Sequence, residues 1–295
     1  MSLEIGTEVY DANGNCYRVA GLLGRGAFSE LYRIVSDEHG RSYALKMASS
    51  LQSQEDEPDL LLNEGRMVLL IDHPQVLRVY YFHDGSEHPD LPPYLIMDYA
   101  DGGSLQDILD CRRRSGILFD GQTVCSMLSQ LAGGMMAISE VLIHGDIKPD
   151  NILVQDGMLK ISDFGLAKII GSTDRSATRL LQHERYLAPE AWKRQDGAIQ
   201  MDIYSMGIVF YELATLQHPY EVGLRGRSVT SWREAHLHAP IAPPDRLNPA
   251  LPPGVARVIE RMIAKLPEDR YTAWSEIVDV LEADKNNTIN KCDGQ

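Results

Sequence analysis

The sequence predicts an α+β chain of two lobes: a small, mostly-β lobe with one helix over residues 1–101, a larger, mostly-α lobe over 102–285, and a short tail at 286–295. Three observations predict it. In the small lobe, short alternating apolar runs are separated by Gly and Asp/Asn turns, the pattern of strands. After Gly102 and Gly103 the apolar residues recur every three or four positions, the pattern of amphipathic helices. With 44% hydrophobic and 24% charged residues, the composition supports a real core and excludes global disorder.

In chain order, strands are expected at 17–23, 31–35, 41–47, 77–82 and 94–99. One helix interrupts them. Pro58 lies in an acidic stretch that suits a helix N-terminus, and Leu60, Leu61, Glu64, Met67, Val68 and Ile71 follow at helical spacing. In the large lobe, Val124, Leu128, Leu131, Met135, Ile138 and Leu142 share one stripe. Val255, Val258, Ile259, Met262 and Ile263 form a second, and Trp274, Ile277, Val278 and Leu281 the last. Between them lies a hairpin, Ile152-Leu153-Val154 and Leu159-Lys160-Ile161 around the turn pair Asp156-Gly157. No repeat, low-complexity tract or long linker is present, and ligands are expected in the cleft between the lobes.

Lys plus Arg number 28 against 42 Asp plus Glu, a net charge of −14. That balance repels phosphate backbones and anionic lipid, so no nucleic-acid or membrane-surface partner is expected. The acidity is uneven: residues 1–101 hold 7 basic and 17 acidic groups, whereas 164–187 hold four basic and two acidic. Arg112-Arg113-Arg114 suits a helix C-terminus, where cations favour the dipole. Cys16, Cys111, Cys125 and Cys292 show no close pair and no metal-ligand spacing, the usage of a reduced, cytoplasmic chain. No apolar run approaches the ~20 residues of a membrane span.

Three segments carry chemistry. Gly24-Arg25-Gly26-Ala27-Phe28-Ser29-Glu30-Leu31 joins two strand-like runs, and its glycines let backbone N–H groups approach phosphate oxygens. A dinucleotide-binding reading fails because a strand, not a helix, follows the glycines. Lys46 lies on an apolar strand and could point into the cleft, with Glu64 on the only helix of that lobe as a partner. The strongest signal is His144-Gly145-Asp146-Ile147-Lys148-Pro149-Asp150-Asn151, returned by the hairpin to Asp163-Phe164-Gly165. Carboxylate and amide oxygens gathered in this way suit Mg²⁺, a hard cation that keeps waters and phosphates as its other ligands.

At these residues the sequence resembles a eukaryotic-like (Hanks-type) serine/threonine protein kinase over residues 17–285, most like bacterial members. Ala188-Pro189-Glu190, Asp202-Ile203-Tyr204-Ser205-Met206-Gly207 and Pro267-Glu268-Asp269-Arg270 extend the resemblance. It implies the bilobal kinase fold, ATP and Mg²⁺ (or Mn²⁺ in its place), protein substrates and a signalling role. Gly24 and Gly26 would then cover the phosphates, Lys46 would bind them, and Glu64 would hold Lys46. Asp146 would be the catalytic base and Lys148 would neutralise the transferred group, while Asn151 and Asp163 would hold the metal. Leu23, Leu31, Ala44 and Leu153 match adenine-sandwiching positions, and Met97 matches the gatekeeper before Asp98, Tyr99 and Ala100 of the hinge. Val68, Val79, His144 and Phe164, anchored by Asp202, match a stack connecting the lobes. Glu190 and Arg270 match a bracing pair.

Three departures stand out. Ser29 replaces the third lid glycine, Gly145 stands where an Arg commonly precedes the catalytic Asp, and His183 replaces a Thr that bridges base and Lys. In the family that Arg pairs with a phosphorylated activation segment, so activity independent of such a phosphate is expected, although Ser172, Thr173, Ser176 and Thr178 offer acceptors. Two rivals share the fold. A small-molecule phosphotransferase usually lacks the Phe164-Gly165 and Ala188-Pro189-Glu190 features, and a pseudokinase binding module usually lacks one of the groups for ATP, metal or proton transfer.

Overall fold

The computed structural model describes residues 2–26, 29–48, 65, 67–86, 91–165, 167–169, 184–193, 195, 198–220 and 228–292. The expected small-lobe strands form as β2 (Cys16–Arg25), β3 (Ser29–Ser36), β4 (Ser42–Ala48), β5 (Val79–His83) and β6 (Tyr94–Asp98). A further strand, β1 (Glu8–Tyr10), precedes them, too short to show alternation in sequence. The sheet has the order β1-β2-β3-β4-β6-β5, and each neighbouring pair is antiparallel.

The two faces of this sheet do different work. On one, Val9, Tyr17, Val19, Tyr32, Ile34, Leu45, Met47 and Ile96 make the lobe's own core. On the other, Ala44, Leu77, Leu95 and Met97 join Leu31, Ala100 and Leu153 toward the large lobe. The period-two pleat sends alternate residues of β4 to opposite clusters, Leu45 and Met47 to the first and Ala44 and Ala48 to the second. Of the expected helix, Pro58, Leu60, Leu61 and Glu64 lie outside the described residues, while Gly65, Met67 and Val68 are helical. A Cβ on Gly65 would lie 2.4 Å from the Phe82 ring, so only glycine lets this turn settle on the sheet.

In the large lobe, α1 (Leu105–Ser115) opens on a capping box between Ser104 and Asp107. It ends at Gly116 with φ 68, and Arg112, Arg113 and Arg114 occupy its last turn. Next comes α2 (Gly121–Ile138), whose buried stripe includes Val124, Leu128, Leu131, Met135 and Ile138. Leu142, expected on the same stripe, lies instead in β7 (Leu142–Ile143), paired with β10 (Lys168–Ile169). The Ser139 N–H closes the helix on the Met135 carbonyl, and the chain turns through Val141. Leu142 enters the same core after that reversal, which apolar spacing alone does not register.

The hairpin forms as β8 (Ile152–Gln155) and β9 (Met158–Ile161). Asp156 and Gly157 both take positive φ, 51 and 75, as the two-residue turn requires. The remaining helices are α3 (Pro189–Trp192), α4 (Ile199–Thr215), α5 (Val229–His238), α6 (Pro244–Leu247), α7 (Pro253–Met262) and α8 (Trp274–Cys292). α4 is buried nearly all round, so it presents no stripe to a periodicity reading. It packs against α2 and α7, and α8 packs on α2 and α7.

Two histidines lie fully buried beside α4. His218 Nε2 donates to the Arg185 carbonyl at 2.8 Å, and His236 Nδ1 lies 2.9 Å from the Tyr204 hydroxyl. Burial pushes the pKa of His236 down to about 3, with Lys265 adding to the effect, and depresses His218 as well. Above the unfolded value of ~6.5 both are neutral in either state, so stability is full. Below it the unfolded chain takes up protons that the folded chain refuses, and stability falls by ~1.4 kcal/mol per pH unit for each histidine. The expected result is a urea-unfolding free energy whose decline from pH 6.5 to 5 is ~2 kcal/mol shallower in His236→Gln than in wild type.

Candidate active site

The lobes join where β6 runs on through Tyr99 and Ala100. Beyond them Gly102 donates to the Val154 carbonyl at 3.0 Å, and Val154 donates back to Gly103 at 2.9 Å. A Cβ on Gly102 would meet Val154 at 2.8 Å, so the linker lies flat on β8 and brings Leu153 under the small lobe.

A cavity of about 1000 Å³ opens between the lobes. Leu23, Gly24, Gly26, Leu31, Lys46, Met97 and Leu153 line it, with Lys148, Asn151 and Asp163 on its large-lobe side. Ala44 and Ala100 back the lining, packed with Leu31, Met97 and Leu153. The Asp98 carboxylate turns elsewhere, accepting from Arg41 at 2.8 Å and from the Tyr80 hydroxyl at 2.9 Å. Further lining comes from Leu77, Ser162, Arg25, Glu184, Arg185 and Tyr186, which the sequence reading had not assigned to the site. Leu77 and Ser162 meet there because strand pairing brings the Leu77 N–H to the Ile161 carbonyl at 2.9 Å. Nothing local in the sequence signals that contact.

The loop after β7 gathers the polar groups. Asp146 Oδ2 accepts from Lys148 Nζ at 2.9 Å and from Asn151 Nδ2 at 2.9 Å, and Asn151 Nδ2 also donates to the Asp146 carbonyl at 2.8 Å. A short 3₁₀ turn, Pro149–Asn151, folds Asn151 back to make this possible. Underneath, the buried Asp202 carboxylate accepts the N–H of His144 at 2.7 Å and of Gly145 at 2.9 Å. Burial raises the pKa of Asp202, and His144 with the two N–H donors works against that rise. Gly145 has φ 77, a left-handed conformation that favours glycine.

His144 Nε2 lies 3.2 Å from the Ser162 carbonyl, and its ring centroid is 4.7 Å from that of Phe164. Val68 and Phe164 are buried in one core cluster with Val79 packed against it, so the four residues expected to connect the lobes share one region. Asp163 itself adopts φ 64, turning its carboxylate into the cleft.

Lys46 reaches across the cavity from β4. Its Nζ lies 2.8 Å from Asp163 Oδ1, with side-chain exposures of 15% and 45%. The Lys46 ammonium holds the Asp163 pKa at about 2, burial opposes this, and Lys148 lowers it further. Asp163 is therefore ionised at neutral pH, with Oδ2 left for a second cation. Because the Asn151 amide donates through Nδ2, its oxygen is likewise left as a ligand. An amide oxygen and a carboxylate oxygen are hard donors, and they fit Mg²⁺. Glu64 and His183 lie outside the described residues, as do Ser172, Thr173, Ser176 and Thr178.

Curated relatives match this chain across most of its length. A probable serine/threonine-protein kinase of Streptomyces coelicolor is 27% identical over 277 residues, covering 92% of this chain and 40% of the relative. Serine/threonine-protein kinase PknA of Mycobacterium tuberculosis is 29% identical over 272 residues, covering 90% and 61%. A probable serine/threonine-protein kinase of Clostridium acetobutylicum is 29% identical over 281 residues, covering 94% and 41%. The chain thus spans about two-fifths to three-fifths of the length of these relatives. The model of the protein kinase domain matches residues 17–281, and the chain belongs to that family.

Proposed function

We propose that this chain transfers the γ-phosphoryl group of ATP to Ser/Thr hydroxyls of protein substrates. The observation that carries the reading is the Lys46–Asp163 contact at 2.8 Å across the cavity, set beside the Asp146–Lys148–Asn151 cluster. Lys46, Lys148, Asn151 and Asp163 then face one space of about 1000 Å³, and Asp146 is bonded to Lys148 and Asn151 beside it. Lobe boundaries at 1–101 and 102–285, with 286–295 as a tail, follow from the same reading.

In this mechanism Leu23, Leu31, Ala44, Met97, Ala100 and Leu153 hold adenine, with the Asp98 backbone beside it. Gly24 and Gly26 cover the phosphates while Lys46, held by Glu64, pairs with them. Asp146 accepts the proton of the attacking hydroxyl. Lys148, fixed on Asp146, screens the charge that develops on the transferred group. Asn151 and Asp163 would hold Mg²⁺, which would supply charge neutralisation when bound. The protein forms no covalent bond to the phosphoryl group in this scheme, so positioning and electrostatics carry the rate.

Gly145 offers no cation to an activation-segment phosphate, which supports activity without one. Net charge −14 and cysteines without a framework favour a cytoplasmic enzyme acting on proteins rather than nucleic acid. Among the described residues no helix is long and apolar enough to cross a membrane.

The test is phosphoryl transfer from radiolabelled Mg-ATP to basic protein, peptide, sugar and aminoglycoside acceptors, before and after phosphatase treatment of the enzyme. Transfer to protein Ser/Thr that survives the phosphatase is expected. Transfer only to small molecules would overturn the protein-substrate reading, and binding without transfer would leave a pseudokinase.

A further inference from the structure

The glycines of the lid carry no side chain to anchor them, and the β2–β3 ladder and the Gly26 N–H to Ser29 carbonyl bond at 2.8 Å hold their backbone. A Cβ built on Gly24 would meet nothing within 4 Å, and one on Gly26 would meet only Ser29. Between them stands Arg25, whose cross-strand partner on β3 is Glu30. Arg25 Nε lies 3.0 Å from Glu30 Oε1, and Arg25 itself lines the cavity.

Glu30 is charged yet only 7% exposed. Its carboxylate accepts from the Tyr32 hydroxyl, from the Ser2 hydroxyl at 2.9 Å, and from Arg25. Arg25 also donates to Ser2 Oγ at 3.2 Å. The Tyr32 hydroxyl in turn accepts the Leu3 N–H at 2.9 Å, and Leu3 is buried in the small-lobe core. An unbroken set of contacts therefore runs from residues 2 and 3 through Glu30 to the residue between the lid glycines.

We infer that Ser2 and Leu3 act as a strap that, through Glu30, positions the nucleotide lid. Glu30 is a positioning residue and touches no substrate. Without it, the long Arg25 side chain would keep only its 3.2 Å bond to Ser2 and regain much of its rotamer freedom, and the Gly24–Gly26 backbone would be held less firmly. Ordering that loop would then be charged against each nucleotide bound. The inference rests on the reading of the cavity as an ATP site, but the lid's order can be measured without ATP.

The experiment uses the full chain with Glu30→Gln, with Ser2→Ala/Leu3→Ala, and with Val9→Ala as a control that weakens the same core without touching Glu30. Amide exchange at Gly24, Arg25 and Gly26 is read without nucleotide, and Mg-ATP affinity by displacement of a fluorescent analogue. The first two variants are expected to speed exchange about tenfold and to weaken Mg-ATP about three- to tenfold. The KM for protein substrate and kcat at saturating ATP should remain within about twofold of wild type. Wild-type exchange and affinity in both variants would overturn the strap, as would equal losses in Val9→Ala. If exchange responds but wild type binds no Mg-ATP, the strap stands and the ATP reading falls.

Discussion

Asp146→Asn is expected to lower phosphoryl transfer by about 10²–10⁴-fold, the usual contribution of a general base, while Mg-ATP affinity stays within about twofold. The substitution keeps the shape of the side chain. Its remaining oxygen still accepts from Lys148 and Asn151, which both bond one carboxylate oxygen, so the loop keeps its geometry. What disappears is the other oxygen as a proton acceptor. Single-turnover kinetics with protein substrate separate this loss from binding. A rate near wild type would show that the proton leaves by another route and that Asp146 serves only to fix Lys148.

Arg270→Met is expected to destabilise the protein by ~3–5 kcal/mol, read from urea unfolding. Arg270 is fully buried. Its guanidinium bonds Glu190 Oε1 at 2.6 Å and Oε2 at 2.8 Å, and also the carbonyls of Gln200, Ala264 and Lys265. Its donors are thus met by five acceptors, while its face packs 4.7 Å from the Tyr204 ring centroid. Removing the cation strands the buried Glu190 carboxylate at the start of α3 and leaves three carbonyls short of a donor. The partner substitution separates these terms. Adding Glu190→Leu removes the stranded charge, so the double variant should recover part of the loss. A loss below ~1 kcal/mol in Arg270→Met would mean that water replaces the guanidinium and that the pair does not brace the lobe.

The residues that proved legible in the sequence are those whose signal is local. Asp156-Gly157 announces its own turn because two successive positive φ angles demand those residue types. Asp146, Lys148 and Asn151 fall in one short loop, so their convergence could be anticipated from spacing alone. Elsewhere the deciding contact is remote. α4 is wrapped on every side and has no polar face to reveal it. Leu142 keeps the helical spacing but enters the core as strand, after a reversal that depends on Ser139 and Val141. Ser2 meets Glu30 only once the sheet has formed, and neither residue type announces the other. Asp98 is expected in the hinge, and nothing local in the sequence signals that its carboxylate accepts from Arg41 and Tyr80.

That capture of Asp98 bears on how the two halves are joined. Asp98 is fastened to the upper half by Arg41, by Tyr80 and by its N–H to the Arg78 carbonyl at 2.9 Å. Gly102 and Gly103 are fastened to the lower half through Val154. Only Tyr99, Ala100 and Asp101 lie between these anchors, so in this connection a change of angle falls on the backbone torsions of those three residues, while the Leu77 N–H to Ile161 carbonyl bond at 2.9 Å ties the halves a second time. That stretch is consequently short, and Tyr99 and Ala100 pack against Met97 and Leu153 of the cavity lining.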